Sequence, residues 1–296
     1  TAFNSRFRQV DLFTEVAAPI AAGFLLVMGS SDLPMLGFYL VALWNLISFF
    51  PEYGILTSIF HERPDLSEKR IVVSKSAKVS FLKKLTGGWR SFFREPVALV
   101  VAAYAILWLS VLSPHGVLLT AFLKDGWKLP EWEIGLFRGL GAVFGLAATV
   151  IFPFVEKKIG LIQSSKSFVI YQAITVAIAL AFFFSDSRMG QIGFLAFVLL
   201  SRIGVYGFGL GEMQIRQLGI RPSVRGEVNG FASALTGIAT LGLFASGVLL
   251  PSTNDFVYLI IASVVFVILA ALVFSFWAWR TKDKAFLGVE HEAARG

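Results

Sequence analysis

The feature that most restricts this chain is a series of uncharged apolar blocks, each long enough to cross a lipid bilayer. A spanning helix needs roughly 20 apolar residues and satisfies its backbone polar groups within itself. Eight such blocks follow one another, at about 10–30, 33–59, 96–123, 131–155, 167–185, 190–218, 228–250 and 255–279. A soluble domain has no use for so many. Hydrophobic residues make up 56% of the chain and charged residues 15%, against roughly 45–50% and 25% in soluble proteins. The predicted fold class is all-α: a polytopic membrane helix bundle in a lipid bilayer. The 30 Phe and 7 Trp suit its lipid-facing and interfacial surface.

The charges are placed as a membrane protein places them. One set of alternate connections carries 21 Lys and Arg and the opposite set only Lys124, Lys128 and Arg188. By the positive-inside rule both chain ends are predicted to be cytoplasmic. The basic loops account for the net charge of +7, so no nucleic-acid partner is implied. The longest connection, His61 to Arg94, interleaves Ile71, Val72, Val79, Phe81 and Leu82 with lysines and is suited to the membrane surface. There is no cysteine, which excludes disulfides, thiolate ligands and cysteine catalysis. The first ten residues are polar, with Arg6 and Arg8, and show no signal-peptide pattern; the chain opens on Thr, which fits a segment of a longer protein.

Polar groups at membrane depth are the candidate functional residues. In the second block Asn45, Ser48, Phe49 and Glu52 stand at i, i+3, i+4 and i+7, so they share one helical face. Pro51 has no N–H, which leaves the carbonyl of Ile47 without its helical partner and favours a kink that turns the Ser48 and Phe49 carbonyls outward. An amide oxygen, a hydroxyl, carbonyls and one carboxylate make a hard oxygen set for a divalent cation, calcium included. A structural kink, with Glu52 at the interface, accounts for the same spacing, and both accounts stand at this point. The third block contains Ser113-Pro114-His115-Gly116. Pro114 frees the carbonyl of Ser110, and His115 is the one histidine within a block. Imidazole is a common ligand for first-row transition metals, although a histidine hydrogen-bonded within the bundle fits equally.

Other polar residues are predicted to be structural. Arg202 in the sixth block and Glu15 in the first are candidates for a buried ion pair, and Arg138 can snorkel. Glu212, Gln214, Arg216 and Gln217, with Arg221, Arg225, Glu227 and Asn229, crowd one end of the bundle, where ion pairs can hold it shut. Gly135 with Gly139, Gly141 with Gly145, and Gly204, Gly207, Gly209 and Gly211 predict close helix packing. No His, Asp and Glu cluster has catalytic spacing, so no enzyme is predicted.

Several segments, in order, resemble the ferroportin family, and a bacterial member in particular. Arg8-Gln9-Val10-Asp11-Leu12-Phe13-Thr14 with Pro19 and Gly23 is similar to that family's fifth helix. Trp44-Asn45-Leu46 with Ser48, Glu52 and Tyr53 is similar to its sixth. Arg202-Ile203-Gly204 with Phe208, Gln214 and Gln217 resembles its tenth, and Arg225-Gly226 with Asn229-Gly230 the entry to its eleventh. The resemblance runs from about Arg6 to Lys282. It implies a major facilitator fold of twelve helices in two lobes, of which eight are present here and the first four are not.

The resemblance further implies an iron exporter working by alternating access, with no bound cofactor and a divalent cation as cargo: ferrous iron, or cobalt, nickel or manganese. Residues 1–60 would be the last two helices of the amino-terminal lobe, 61–94 a cytoplasmic interlobe linker, 95–282 the carboxy-terminal six-helix lobe and 283–296 a cytoplasmic tail. Asn45 and Glu52 match positions linked to cation binding. His115 falls where vertebrate members have a metal-binding cysteine, and Leu243 where they have the companion histidine. The missing cysteine argues against peptide-hormone regulation and for a bacterial inner membrane. Arg225 matches an arginine of the family's cytoplasmic gate. The alternative function is a major facilitator drug or metabolite exporter.

Overall fold

The computed structural model describes residues 35–62, 95–113, 116–185, 187–220 and 225–281, together with Arg6, Gln9, Val10, Phe13, Thr14, Trp89, Phe92 and Phe93. Regular structure among the described residues is helical throughout. In chain order the helices are α1 (Leu36–Glu62), α2 (Ala98–Leu107), α3 (Val117–Ala121), α4 (Glu131–Ile159), α5 (Leu161–Phe183), α6 (Arg188–Gly219), α7 (Arg225–Leu249) and α8 (Phe256–Arg280). Six of them, α1 and α4 to α8, are long and apolar enough to cross a membrane. The first predicted span falls almost wholly outside the described residues.

The helix ends follow from local chemistry. Ser187 caps α6 by accepting from the Gly190 N–H at 3.0 Å. A proline, Pro130, precedes α4, where a missing N–H costs nothing. One residue joins α4 to α5: Gly160, at φ 82°, a backbone conformation that a side chain would strain.

The chain forms two compact units, one of residues 13–84, which contains α1, and one of residues 1–12 and 85–296, which contains the other helices. In the larger unit α6 is central. It packs most extensively on α5, and also on α4 and α2; α8 lies against α5 and α2, and α7 against α2. Lipid gives helices little hydrophobic reason to associate, so close approach through small residues carries the packing. A Cβ on Gly204 would stand 2.5 Å from Cβ of Gln172 and 2.8 Å from the Phe168 carbonyl oxygen, and one on Gly207 would enter the Phe168 ring. These glycines therefore seat α6 on α5.

Backbone atoms of α5 cannot yield as a side-chain tip can. Gly204→Ala is expected to cost about 1–3 kcal/mol by overpacking, read as a lower melting temperature of the purified protein. Gly209→Ala, whose Cβ would meet only the Tyr104 ring at 3.4 Å, serves as the tolerated control. Among the described residues nothing lies within 4 Å of a Cβ at Gly135 or Gly139. Gly145, on the same helix, receives the Tyr206 ring, at 2.9 Å from its Cβ position.

The end of this unit away from the basic loops is held by aromatic rings. After α3 the chain makes a π-helical turn, Phe122–Gly126. Phe122 stacks on Phe256 at 4.2 Å between ring centres and meets Trp127 edge-on at 5.3 Å. Trp127 in turn packs on Phe183 and Phe194. Nearby, the Arg188 guanidinium donates to both Glu133 oxygens, at 2.7 and 2.6 Å, tying α6 to α4.

Candidate functional site

On α1 the helix continues through Pro51 to Glu62, so Asn45, Ser48, Phe49 and Glu52 do share one face. Asn45 Nδ2 donates to the Val41 carbonyl at 2.9 Å, and Ser48 Oγ donates to the Asn45 carbonyl at 3.2 Å. Each side chain thus gives one hydrogen to its own helix, and Asn45 keeps a second amide N–H. The oxygens that remain are Asn45 Oδ1, the Ser48 lone pairs and the Glu52 carboxylate. Glu52 has no partner among the described residues. Phe49 stacks on Tyr53 at 6.0 Å, so its ring packs and only its carbonyl could serve a cation. No group of three or more His, Asp or Glu gathers among the described residues. The candidate donor set is therefore one carboxylate with neutral oxygens.

The second candidate lies where the chain leaves the helix between α2 and α3. The predicted third span is not one helix broken at Ser113 to Gly116; α2 already ends at Leu107 and α3 starts at Val117. Gly116 N–H donates to the Ser113 carbonyl at 2.8 Å; Pro114 and His115 lie outside the described residues. The cause of the early ending is partly Ser263 of α8, whose Oγ accepts the Val111 N–H at 2.9 Å. From α6, Arg202 Nη1 donates to the Leu112 carbonyl at 3.3 Å, with its guanidinium 5.1 Å from the Tyr206 ring centre. Among the described residues Arg202 thus meets a carbonyl and an aromatic face; Glu15, its candidate ion-pair partner, lies outside the described residues. Ser263 was missed, since a lone serine in a helix of Val, Ile, Leu and Phe carries little sequence signal beyond being polar at membrane depth.

The third group is the corner between α6 and α7. Glu212 is 2% exposed and pairs with Arg216, Nε to Oε1 at 2.9 Å. Arg216 also donates to Asn229 Oδ1 on α7 at 3.1 Å. In the opposite direction Arg225, at the start of α7, donates to the Gln217 and Ile220 carbonyls at 3.0 and 3.4 Å. Gln217 lies in the last turn of α6, where carbonyls lack helical donors, and Ile220 directly follows the helix. Gln214 reaches Glu156 of α4 at 2.8 Å. Of the charges predicted at this end, Glu212 and Arg216 pair with each other, and hydrogen bonds from Arg216, Arg225 and Gln214 join α6 to α7 and α4; Arg221 lies outside the described residues.

The Ferroportin1 (FPN1) family profile matches residues 1–267. The chain belongs to the ferroportin family. Among its relatives is Ferreportin of Bdellovibrio bacteriovorus, 48% identical over 280 residues, a match covering 95% of this chain and 62% of the relative. Solute carrier family 40 member 1 of Oryza sativa is 27% identical, covering 97% of this chain and 62% of that protein. The crystal structure of a bacterial homologue of iron transporter ferroportin in an outward-facing state matches with a TM-score of 0.77 and 46% identity, over 93% of this chain and 63% of that one. The crystal structure of a bacterial homologue of iron transporter ferroportin in an inward-facing state matches with a TM-score of 0.68 and 46% identity. This chain is thus a ferroportin homologue and a multi-pass integral membrane protein, and it spans a little under two thirds of the length of these relatives.

Proposed function

We propose that the protein is a divalent-metal exporter, with ferrous iron as cargo and cobalt, nickel or manganese as similar ions, working by alternating access between two helical lobes. One observation carries this reading. Bacterial homologues of iron transporter ferroportin that it resembles at 46% identity are known in outward-facing and inward-facing states, and in the outward-facing state with soaked iron. In this reading residues 1–60 belong to the amino-terminal lobe, 61–94 link the lobes, 95–282 form the carboxy-terminal lobe and 283–296 are a tail. The basic loops face the cytoplasm of a bacterium.

The cargo is handled by weak, hard ligands. Asn45 Oδ1, Ser48 Oγ, the Phe49 carbonyl and the Glu52 carboxylate provide one site. His115 provides a second. A single carboxylate or a single imidazole binds modestly, which suits a carrier that must release what it binds. Arg225, held on the end of α6, contributes to the cytoplasmic gate.

The test is a binding screen of the full-length protein against divalent metals and bulky organic cations. Saturable binding of Co²⁺ or Fe²⁺, without binding of organic cations, is the expected result. The opposite pattern would transfer the function to a drug or metabolite exporter.

A further inference from the structure

Of the spanning helices in the larger unit, α7 is the least buried, and its exposed side is not apolar throughout. Val228, Ala232 and Ala239 are its buried apolar residues. Beside them, near the middle of this 25-residue helix, Ser233, Thr236 and Thr240 stand at i, i+3 and i+7. At 3.6 residues per turn the three share an arc of about 60°. Ser233 is exposed and the two threonines are partly so. The exposed positions in the middle of α5 and α8 have another character: Ile170 and Ile174 on the first, Val265, Leu269 and Leu272 on the second, as a lipid-facing surface should have.

The hydrogen bonds of the two threonines decide what they can offer. Thr236 Oγ1 donates its one hydrogen back into its own helix, to the Ser233 carbonyl at 3.0 Å or the Ala232 carbonyl at 3.2 Å. Thr240 Oγ1 donates to the Thr236 carbonyl at 2.8 Å. With the hydrogens committed, both hydroxyls can only accept. One hydroxyl bonded back in this way costs little in lipid. Three on one face, at mid-helix, mark a surface turned toward water, where polar side chains within a membrane are placed. An acceptor surface in water has a natural complement. The water ligands of a hydrated divalent cation turn their hydrogens outward, and hard cations of this size give up that water reluctantly.

We propose that Thr236 and Thr240, with Ser233, line the passage of the cargo and accept hydrogen bonds from the water shell of a hydrated divalent cation. This inference rests on the divalent-cargo reading above and adds to it a place on α7. The contact is through water, so it guides the ion without stripping it, and a water-mediated bond of this kind is nearly as favourable as a direct one.

The experiment has two arms, both on the full-length protein. In the first, Thr236→Cys and Thr240→Cys are treated in liposomes with the water-soluble anionic thiol reagent sulfonatoethyl methanethiosulfonate. These 296 residues contain no cysteine, and labelling is read above that of the unaltered protein. Both variants should label, whereas Ile174→Cys and Leu272→Cys, on the apolar faces of α5 and α8, should not. In the second, initial Co²⁺ flux at subsaturating metal is compared for the unaltered protein, Thr236→Val/Thr240→Val and Thr236→Ser/Thr240→Ser, with melting temperatures alongside. The Val pair keeps the shape and loses both oxygens. Its flux should fall by about tenfold or more, the worth of one hydrogen bond to a charged group, at an unchanged melting temperature. The Ser pair keeps the oxygens and should retain most of the flux. Failure of Thr236→Cys and Thr240→Cys to label, with Co²⁺ flux intact in the unaltered protein, overturns the lining role and leaves the metal reading standing. Labelling without loss of flux in the Val pair overturns the contact with the cation, and so does an equal loss in the Ser pair. Absence of Co²⁺ flux in the unaltered protein overturns both readings.

Discussion

Arg216→Ala is expected to destabilise the folded protein by about 3–5 kcal/mol, the cost of leaving a buried charge without its partner. The Glu212 carboxylate is 2% exposed, and Arg216 holds both of its oxygens, at 2.9 and 3.3 Å. The same guanidinium reaches Asn229 on α7, so the substitution also cuts a link between α6 and α7. The pair itself contributes little beyond an apolar replacement, because taking two charges out of water offsets their attraction. Glu212→Leu combined with Arg216→Met should therefore melt close to the unaltered protein, and Arg216→Ala well below it. Equal melting temperatures for Arg216→Ala and the unaltered protein would mean that the carboxylate reaches solvent or another partner.

Asn45→Ala and Glu52→Gln are expected to weaken Co²⁺ binding at the α1 site by about 10- to 100-fold each, the lower bound being what loss of a mere ligand-orienting partner costs. Glu52→Gln should be the more severe, since it removes the only formal charge among the proposed donors and hard cations are held largely by charge. Both side chains stand on an exposed helix face, and the Asn45 hydrogen bond runs within α1. The substitutions should therefore leave the melting temperature almost unchanged. That separates a ligand role from the alternative of a kinked structural helix. In the structural account Asn45→Ala would lower stability through lost helix contacts and leave Co²⁺ affinity intact.

The spanning helices could be read from the sequence because an uncharged run of about 20 residues has few other uses. Their ends were harder. The predicted fifth span begins at about residue 167, whereas α5 begins at Leu161. Gln163, Ser164, Ser165 and Lys166 look like a loop, but Ser164 and Ser165 return their hydroxyls to the Gly160 and Leu161 carbonyls at 2.7 Å and so sit inside a helix. The break after α2 was legible only in part. Pro114 marks it, but its true extent depends on Ser263, 152 residues beyond Val111, a contact that no local pattern encodes. The α1 face was legible from its spacing alone, since helical periodicity places Asn45, Ser48 and Glu52 together. Arg202 was legible as a costly residue, though not in its partners, because a carbonyl freed by a broken helix leaves no mark in the sequence.

Movement of a divalent metal by this protein can be followed as flux into liposomes. The full-length protein would be reconstituted into liposomes loaded with a metal-quenched dye, and Co²⁺ or Fe²⁺ added outside. If divalent metal is the cargo, quenching should saturate with metal concentration, exceed that of protein-free liposomes and fall in Asn45→Ala and His115→Ala. Quenching no faster than in protein-free liposomes, from protein that is folded and correctly inserted, would contradict it.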